Sequence, residues 1–200
     1  MKGNLQDIAI SIFSICLQKG ISINIQWIPR GENSKADYIS KIIDYEDWGV
    51  SEFFYTFIND LWGPYTVDRF ASSRNAKLER FNSLFWNVNT EAVDCFTQNW
   101  SDENNWIVPP IYLVLRAIKH VIACKAKGTL IVPKWISATY WPFIFNKNMN
   151  YRDYISDVIE FENTSGIFVS GSNRKSIFGT EPFIAPLLAV KLDATRITRP

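Results

Sequence analysis

A single histidine, His120, occurs in the 200-residue chain, which excludes multi-histidine metal sites and paired-histidine acid–base chemistry. The three cysteines, Cys16, Cys95 and Cys124, are odd in number and far apart. None forms a C-x-x-C pair, so neither a zinc site nor a disulfide framework is expected, and reduced thiols in an intracellular protein are the expectation. No apolar run reaches the ~18 residues that a membrane span needs. Even the apolar N-terminal stretch is interrupted by Asp7, Ser11, Ser14 and Gln18, with no small-residue cleavage site behind it, so no targeting segment is expected. Net charge is lacking too. The balance of 21 basic and 20 acidic residues leaves +1, so any nucleic-acid contact has to come from local patches.

What is present is globular in composition: 47% of residues are hydrophobic and 20% charged. Eight Trp and 14 Phe imply a heavily aromatic core or a large apolar surface. Residues 4–19 place Leu5, Ile8, Ala9, Ile12, Phe13, Cys16 and Leu17 on one helical stripe, closed by Lys19-Gly20. Residues 21–27 alternate, with Ile21, Ile23, Ile25 and Trp27 on one side, which predicts a half-buried strand. A turn at 29–32 follows, then a helix N-capped by Asn33 or Ser34 that carries Asp37 near its start.

The acidic stretch 44–49 suggests a boundary, and an α/β rhythm begins beyond it. Helices are predicted over 51–62, 111–127 and 137–145, and strands over 66–70, 105–108, 129–132, 157–161, 167–169 and 187–192. The 51–62 helix stops at Gly63-Pro64. The 111–127 helix buries Val114, Ala117, Ile118, Val121 and Ile122 and stops at Gly128. The alternation predicts an α/β layered domain with a mostly parallel sheet. The expected organisation is a fragment at 1–44, a domain at 48–193 and a tail at 194–200.

Residues 26–41, Gln-Trp-Ile-Pro-Arg-Gly-Glu-Asn-Ser-Lys-Ala-Asp-Tyr-Ile-Ser-Lys, resemble the last strand and helix of a retroelement ribonuclease H domain. Lys41, where retroelements usually carry Arg, departs from that pattern. The resemblance implies a partial ribonuclease H-like αβα unit, with Asp37 matching the final metal-binding Asp. Ribonuclease H chemistry needs two divalent metals between several carboxylates, and one carboxylate cannot hold them. Asp37 is therefore expected to bind Mg only if an upstream reverse transcriptase/ribonuclease H portion supplies the rest.

A second resemblance runs through Val67-Asp68-Arg69-Phe70-Ala71-Ser72, Arg74-Asn75-Ala76-Lys77, Arg80-Phe81, Ala92-Val93-Asp94, Trp100 and Asn105-Trp106-Ile107-Val108-Pro109-Pro110. It continues through Gly128-Thr129-Leu130-Ile131-Val132-Pro133, Trp135, the Gly171 turn and a closing strand near 187–193. In this order they resemble the Dam-like adenine methyltransferase region that follows ribonuclease H in DIRS-type retrotransposons. Such enzymes receive a flipped adenine in a D-P-P-Y or N-P-P-Y loop. The corresponding loop here is Val108-Pro109-Pro110-Ile111: valine offers no acceptor for the exocyclic amine, and isoleucine no stacking face. Tyr112 is one position late, about 100° away on a helix.

The turn after Asp68 also lacks the glycine that lets backbone approach S-adenosylmethionine. Asp68 is either a polar contact for that donor or an ordinary turn acid.

The remaining candidates are cationic. Arg69, Arg74, Lys77 and Arg80 lie beside Phe70 and Phe81, a composition that can track single strands or simply form a loop on a core. Arg116, with Lys119, His120 and Lys127 on the same predicted helix, gives either a phosphate-contact stripe or a solvated face. The expectation is a retrotransposon polyprotein fragment without catalysis of its own, requiring no cofactor and contacting nucleic acid or the upstream polymerase portion. The competing expectation is a divergent S-adenosylmethionine-dependent DNA adenine methyltransferase. Self-association through an aromatic surface is a third.

Overall fold

The computed structural model describes residues 2–29, 31–34, 48–170 and 185–197. The chain divides into two compact units, Met1–Ile42 and Ile43–Pro200.

The first unit contains helix α1, Lys2–Lys19. Its end is set locally. Gly20 adopts φ 66°, open to glycine without a Cβ penalty, and the Ile21 N–H donates to the Cys16 carbonyl at 2.9 Å. The predicted apolar stripe exists but is not buried: Leu5 is 71% exposed and Leu17 74%. Residues 21–29 have no regular structure, which corrects the strand predicted at 21–27. Alternation creates a strand only where a neighbour accepts its ladder hydrogen bonds, and no described segment pairs with this one. The turn forms as predicted, with Glu32 and Asn33 N–H groups donating to the Pro29 carbonyl at 2.9 and 3.1 Å. The helix expected beyond it, with Asp37 and Lys41, lies outside the described residues, as does the Gly171 turn.

The second unit is α/β. Its elements are β1 (Trp48–Val50), α2 (Glu52–Trp62), β2 (Val67–Asp68), β3 (Asn82–Ser83), β4 (Ala92–Val93), β5 (Asn104–Ile107), α3 (Val114–Ala123), β6 (Lys127–Pro133), α4 (Trp141–Ile144), β7 (Ile155–Phe161), β8 (Phe168–Ser170) and β9 (Leu187–Asp193). Five strands form the main sheet in the order β2-β5-β6-β9-β7. The β2-β5 and β5-β6 pairs are parallel; β9 lies between β6 and β7, antiparallel to both. The sheet is thus mixed rather than mostly parallel. The sequence pattern could not reveal this, because a strand buried on both faces looks equally apolar in either direction.

Two cores sandwich the sheet. On one face Ile107, Leu130, Val132, Leu188 and Val190 meet Val114, Ala117, Ile118 and Val121 of α3 and Trp141 and Ile144 of α4. On the other, Trp106, Ile131 and Ala189 meet Phe54, Tyr55 and Ile58 of α2, together with Trp48 and Val50. Helix α2 begins where expected because the Ser51 hydroxyl accepts from the Phe54 N–H and Glu52 sits in its first turn.

The predicted 111–127 helix is shorter. It opens as a 3-10 turn at Ile111–Leu113 and ends by Cys124. Lys125 takes the left-handed conformation (φ 50°), and Ala126 N–H closes on the Val121 carbonyl at 2.9 Å. Gly128, predicted as the helix stop, lies within β6. A Cβ there would run into the Asn105 carbonyl, so its role is close strand approach. The helix predicted at 137–145 contracts to Trp141–Ile144. The expected tail from 194 starts as a packed 3-10 turn, with Ala194 buried and its N–H bonded to the Ala126 carbonyl.

Candidate functional site

The loop predicted to face a base, Val108-Pro109-Pro110-Ile111, leaves the carboxyl end of β5. That is the end of parallel strands where α/β sheets usually bind ligands. Here it is packed shut. Val108, Pro109 and Pro110 are all buried, and Ile111 packs against both cores. The Trp48 indole N–H donates to the Pro109 carbonyl at 2.9 Å with both groups buried. Pro110 caps the following 3-10 turn, its carbonyl accepting from the Leu113 N–H at 2.8 Å. Trp48 is remote in sequence, and nothing in the loop signals that an indole closes it.

Asp68 is 3% exposed at the end of β2. Its two oxygens accept from the Phe70 N–H at 3.3 Å and the Lys77 N–H at 3.1 Å. Of the two sequence readings, the geometry matches the turn acid: the carboxylate organises the loop after β2 and faces that loop's own amides. For Mg, Asp37 lies outside the described residues. Among those described, no three His, Cys, Asp or Glu side chains gather closely enough to hold a metal ion.

The predicted cationic cluster is divided, with Arg69 turned inward and Arg74 and Arg80 on the surface. Arg69, expected to contact nucleic acid, is 4% exposed and directs its guanidinium into the fold. Its Nε donates to Asn105 Oδ1 at 2.7 Å and its Nη1 to Asn82 Oδ1 at 2.8 Å, and its guanidinium lies 5.2 Å from the Trp100 ring centroid. Burial lowers the Arg69 pKa, with Glu103 opposing the shift. Fully buried Asn105 is the centre of this network. Its amide donates to the carbonyls of Trp100, Glu103 and Lys127, at 3.0, 3.1 and 2.6 Å.

Lys77 reaches Glu52 at 3.1 Å, and Arg80 forms a two-pronged pair with Glu91 at 2.8–2.9 Å plus a contact with Glu103 at 2.9 Å. Arg74 is exposed. On α3, Arg116 lies 3.8 Å from the Phe96 ring centroid and Lys119 5.5 Å from that of Phe143.

His120 and Cys124 resemble a catalytic dyad in separation only. His120 Nε2 lies 3.4 Å from Cys124 Sγ, and also 3.0 Å from the Gln98 carbonyl. A carbonyl only accepts, so this geometry assigns the proton to Nε2, and the imidazole cannot take one from the thiol. The ring is wedged edge-on against Trp100, at 4.7 Å between centroids. Burial pushes the Cys95 thiol well up, so it is not a nucleophile either.

An open site lies at the opposite end of the sheet, on the face that α2 covers. A cleft of about 480 Å³ is lined by Trp62, Asn104, Thr129 and the cations Lys127, Lys191 and Arg196, and equally by the carboxylates Asp157 and Asp193. Lys127 was predicted on the polar side of a helix; it opens strand β6 instead. The sequence reading missed Trp62, Lys191 and Arg196. The available signal was the break in alternation at Lys191, where the α2-facing side of β9 turns polar after Leu187 and Ala189.

Among the described residues, no helix is long and apolar enough to cross a membrane. No protein-family model, curated protein or solved structure matches the chain.

Proposed function

We propose that this chain is a non-catalytic segment of a DIRS-type retrotransposon polyprotein. In this reading a ribonuclease H-like tail precedes a methyltransferase-like α/β domain that serves as a scaffold for single-stranded nucleic acid. Motif order supports the ancestry. The observation that carries the loss of catalysis is the buried Trp48–Pro109 hydrogen bond at 2.9 Å, which closes a loop already without an acceptor or a stacking ring. A base cannot be accepted there without displacing Trp48, which is 1% exposed, from its core. The exposed apolar side of α1 supports an upstream polymerase portion as a second partner, because a helix with Leu5, Phe13 and Leu17 in water gains by burial.

Calorimetric titration of S-adenosylmethionine into the purified chain, with a parallel transfer assay of a labelled methyl group to DNA, tests the reading. No binding heat at millimolar donor and no labelled adenine are expected. Micromolar donor binding, or methyl transfer that Pro109→Ala abolishes, would establish the competing methyltransferase instead.

A further inference from the structure

The cleft beside α2 has the makings of a built groove. Helix α2 ends at Trp62, and past it the β6-β9-β7 face stays buried at Thr129 but opens to solvent at Lys127 and Asp157. On that face the register places Ile131 opposite Ala189, then Thr129 opposite Lys191 with Asp157 beyond it, then Lys127 opposite Asp193. The face therefore passes from apolar to polar along the same strands.

The floor is fixed by the Tyr65 hydroxyl, which donates to the Thr129 hydroxyl at 2.6 Å with both side chains buried. The wall is fixed at the exit of α2. The Asn104 amide donates to the Trp62 carbonyl at 3.3 Å and to the Pro64 carbonyl at 2.9 Å, and Asn59 Oδ1 accepts from the Tyr65 N–H at 3.1 Å. The Trp62 side chain packs against the second core at the edge of the groove, with Lys191 Nζ 5.7 Å from its ring centroid.

The charges are unevenly committed. Asp193 accepts from Arg196 at 2.9 Å and from Thr195, and Asp157 turns an oxygen to the Val158 N–H at 2.9 Å. Lys127 and Lys191 have no carboxylate within ion-pair distance among the described residues. Two ammonium groups without a carboxylate ion-pair partner among the described residues, one of them resting against an indole, match a ligand carrying phosphates and a flat base.

We infer that this groove binds the phosphate backbone of single-stranded nucleic acid through Lys127 and Lys191, with Trp62 stacking on a base. The inference rests on the nucleic-acid part of the proposed function and gives it a place. A free nucleotide offers the same phosphate-and-base chemistry, and the experiment separates the two.

The experiment is fluorescence anisotropy of a labelled 12-nucleotide single-stranded DNA titrated with the full chain at 50–200 mM salt, with unlabelled AMP and ATP as competitors. Binding is expected to fall at least tenfold in the Lys127→Glu/Lys191→Glu variant and severalfold in Trp62→Leu. It is expected to be unchanged in Arg74→Glu/Arg116→Glu, whose cations lie outside the groove. Lys127→Ala/Lys191→Ala, checked for unchanged circular dichroism, should lower the salt slope by about 1.4, the share of two phosphate contacts on a single strand.

Full binding by the Lys127→Glu/Lys191→Glu variant, or loss confined to Arg74→Glu/Arg116→Glu, overturns the groove while leaving a nucleic-acid scaffold standing. No binding by the unaltered chain at 50 mM salt overturns both. Displacement of the oligonucleotide by equimolar AMP or ATP overturns the strand assignment in favour of a nucleotide.

Discussion

Two groups of cations in the second unit have opposite fates. Arg69, Lys77 and Arg80 stand close together in sequence, yet Arg69 is buried, Lys77 reaches Glu52 and Arg80 is held by Glu91 and Glu103. Lys127 and Lys191 are far apart in sequence, yet adjacent strands bring them to one face with no carboxylate at ion-pair distance among the described residues. The difference follows from their settings. The first group lies in and around a long connection of two-residue strands and turns, where little regular backbone pairing is available and side chains must organise the chain. The second lies on seven-residue strands whose ladders already satisfy the backbone, so the side chains are free to face outward.

Three substitutions sharpen that contrast. The largest effect is expected from Arg69→Met. It leaves the carbonyl oxygens of buried Asn82 and Asn105 without their donor and should destabilise the fold by roughly 3 kcal/mol, read from urea unfolding. A change below about 1 kcal/mol would mean that the inward network is not structural and would break the comparison.

Tyr65→Phe, which removes the groove-floor hydrogen bond, should cost about 1 kcal/mol at pH 7. Burial raises the Tyr65 pKa above its ordinary value of 10, with the Thr129 hydrogen bond opposing the shift. The folded state therefore holds a proton that the unfolded chain releases first. This contribution is complete below pH 10 and declines as pH rises beyond it. Urea midpoints from pH 7 to 11 should fall above pH 10, and the gap between the unaltered chain and Tyr65→Phe should narrow there. Tyr140 and Tyr154, also raised by burial, preserve part of the alkaline decline in the variant.

The smallest effect belongs to Arg80→Ala. The guanidinium side chain is 49% exposed, so loss of its pairs should cost at most about 1 kcal/mol, and less at 1 M salt. Thermal melts at low and high salt measure it, and a salt-independent loss would place Arg80 with Arg69 in the structural class.

The sequence by itself determined the elements whose causes are local. Gly20 ends α1, Ser51 and Glu52 start α2, and the apolar spacing of Val114, Ala117, Ile118 and Val121 gives α3 its buried face. It also determined that Val108 and Ile111 lack the groups a base-binding loop needs. Tertiary structure decided whatever depends on residues distant in sequence. Residues 21–27 alternate like a strand but have no described ladder partner, and apolar β9 could have run in either direction until it paired antiparallel between β6 and β7. The indole that seals the Val108–Ile111 loop comes from a residue 61 positions from its acceptor. Lys127 and Lys191 meet only through strand register. Local sequence fixes backbone preference over a few residues, whereas burial and charge pairing depend on which distant surfaces arrive, and chain spacing carries no record of that.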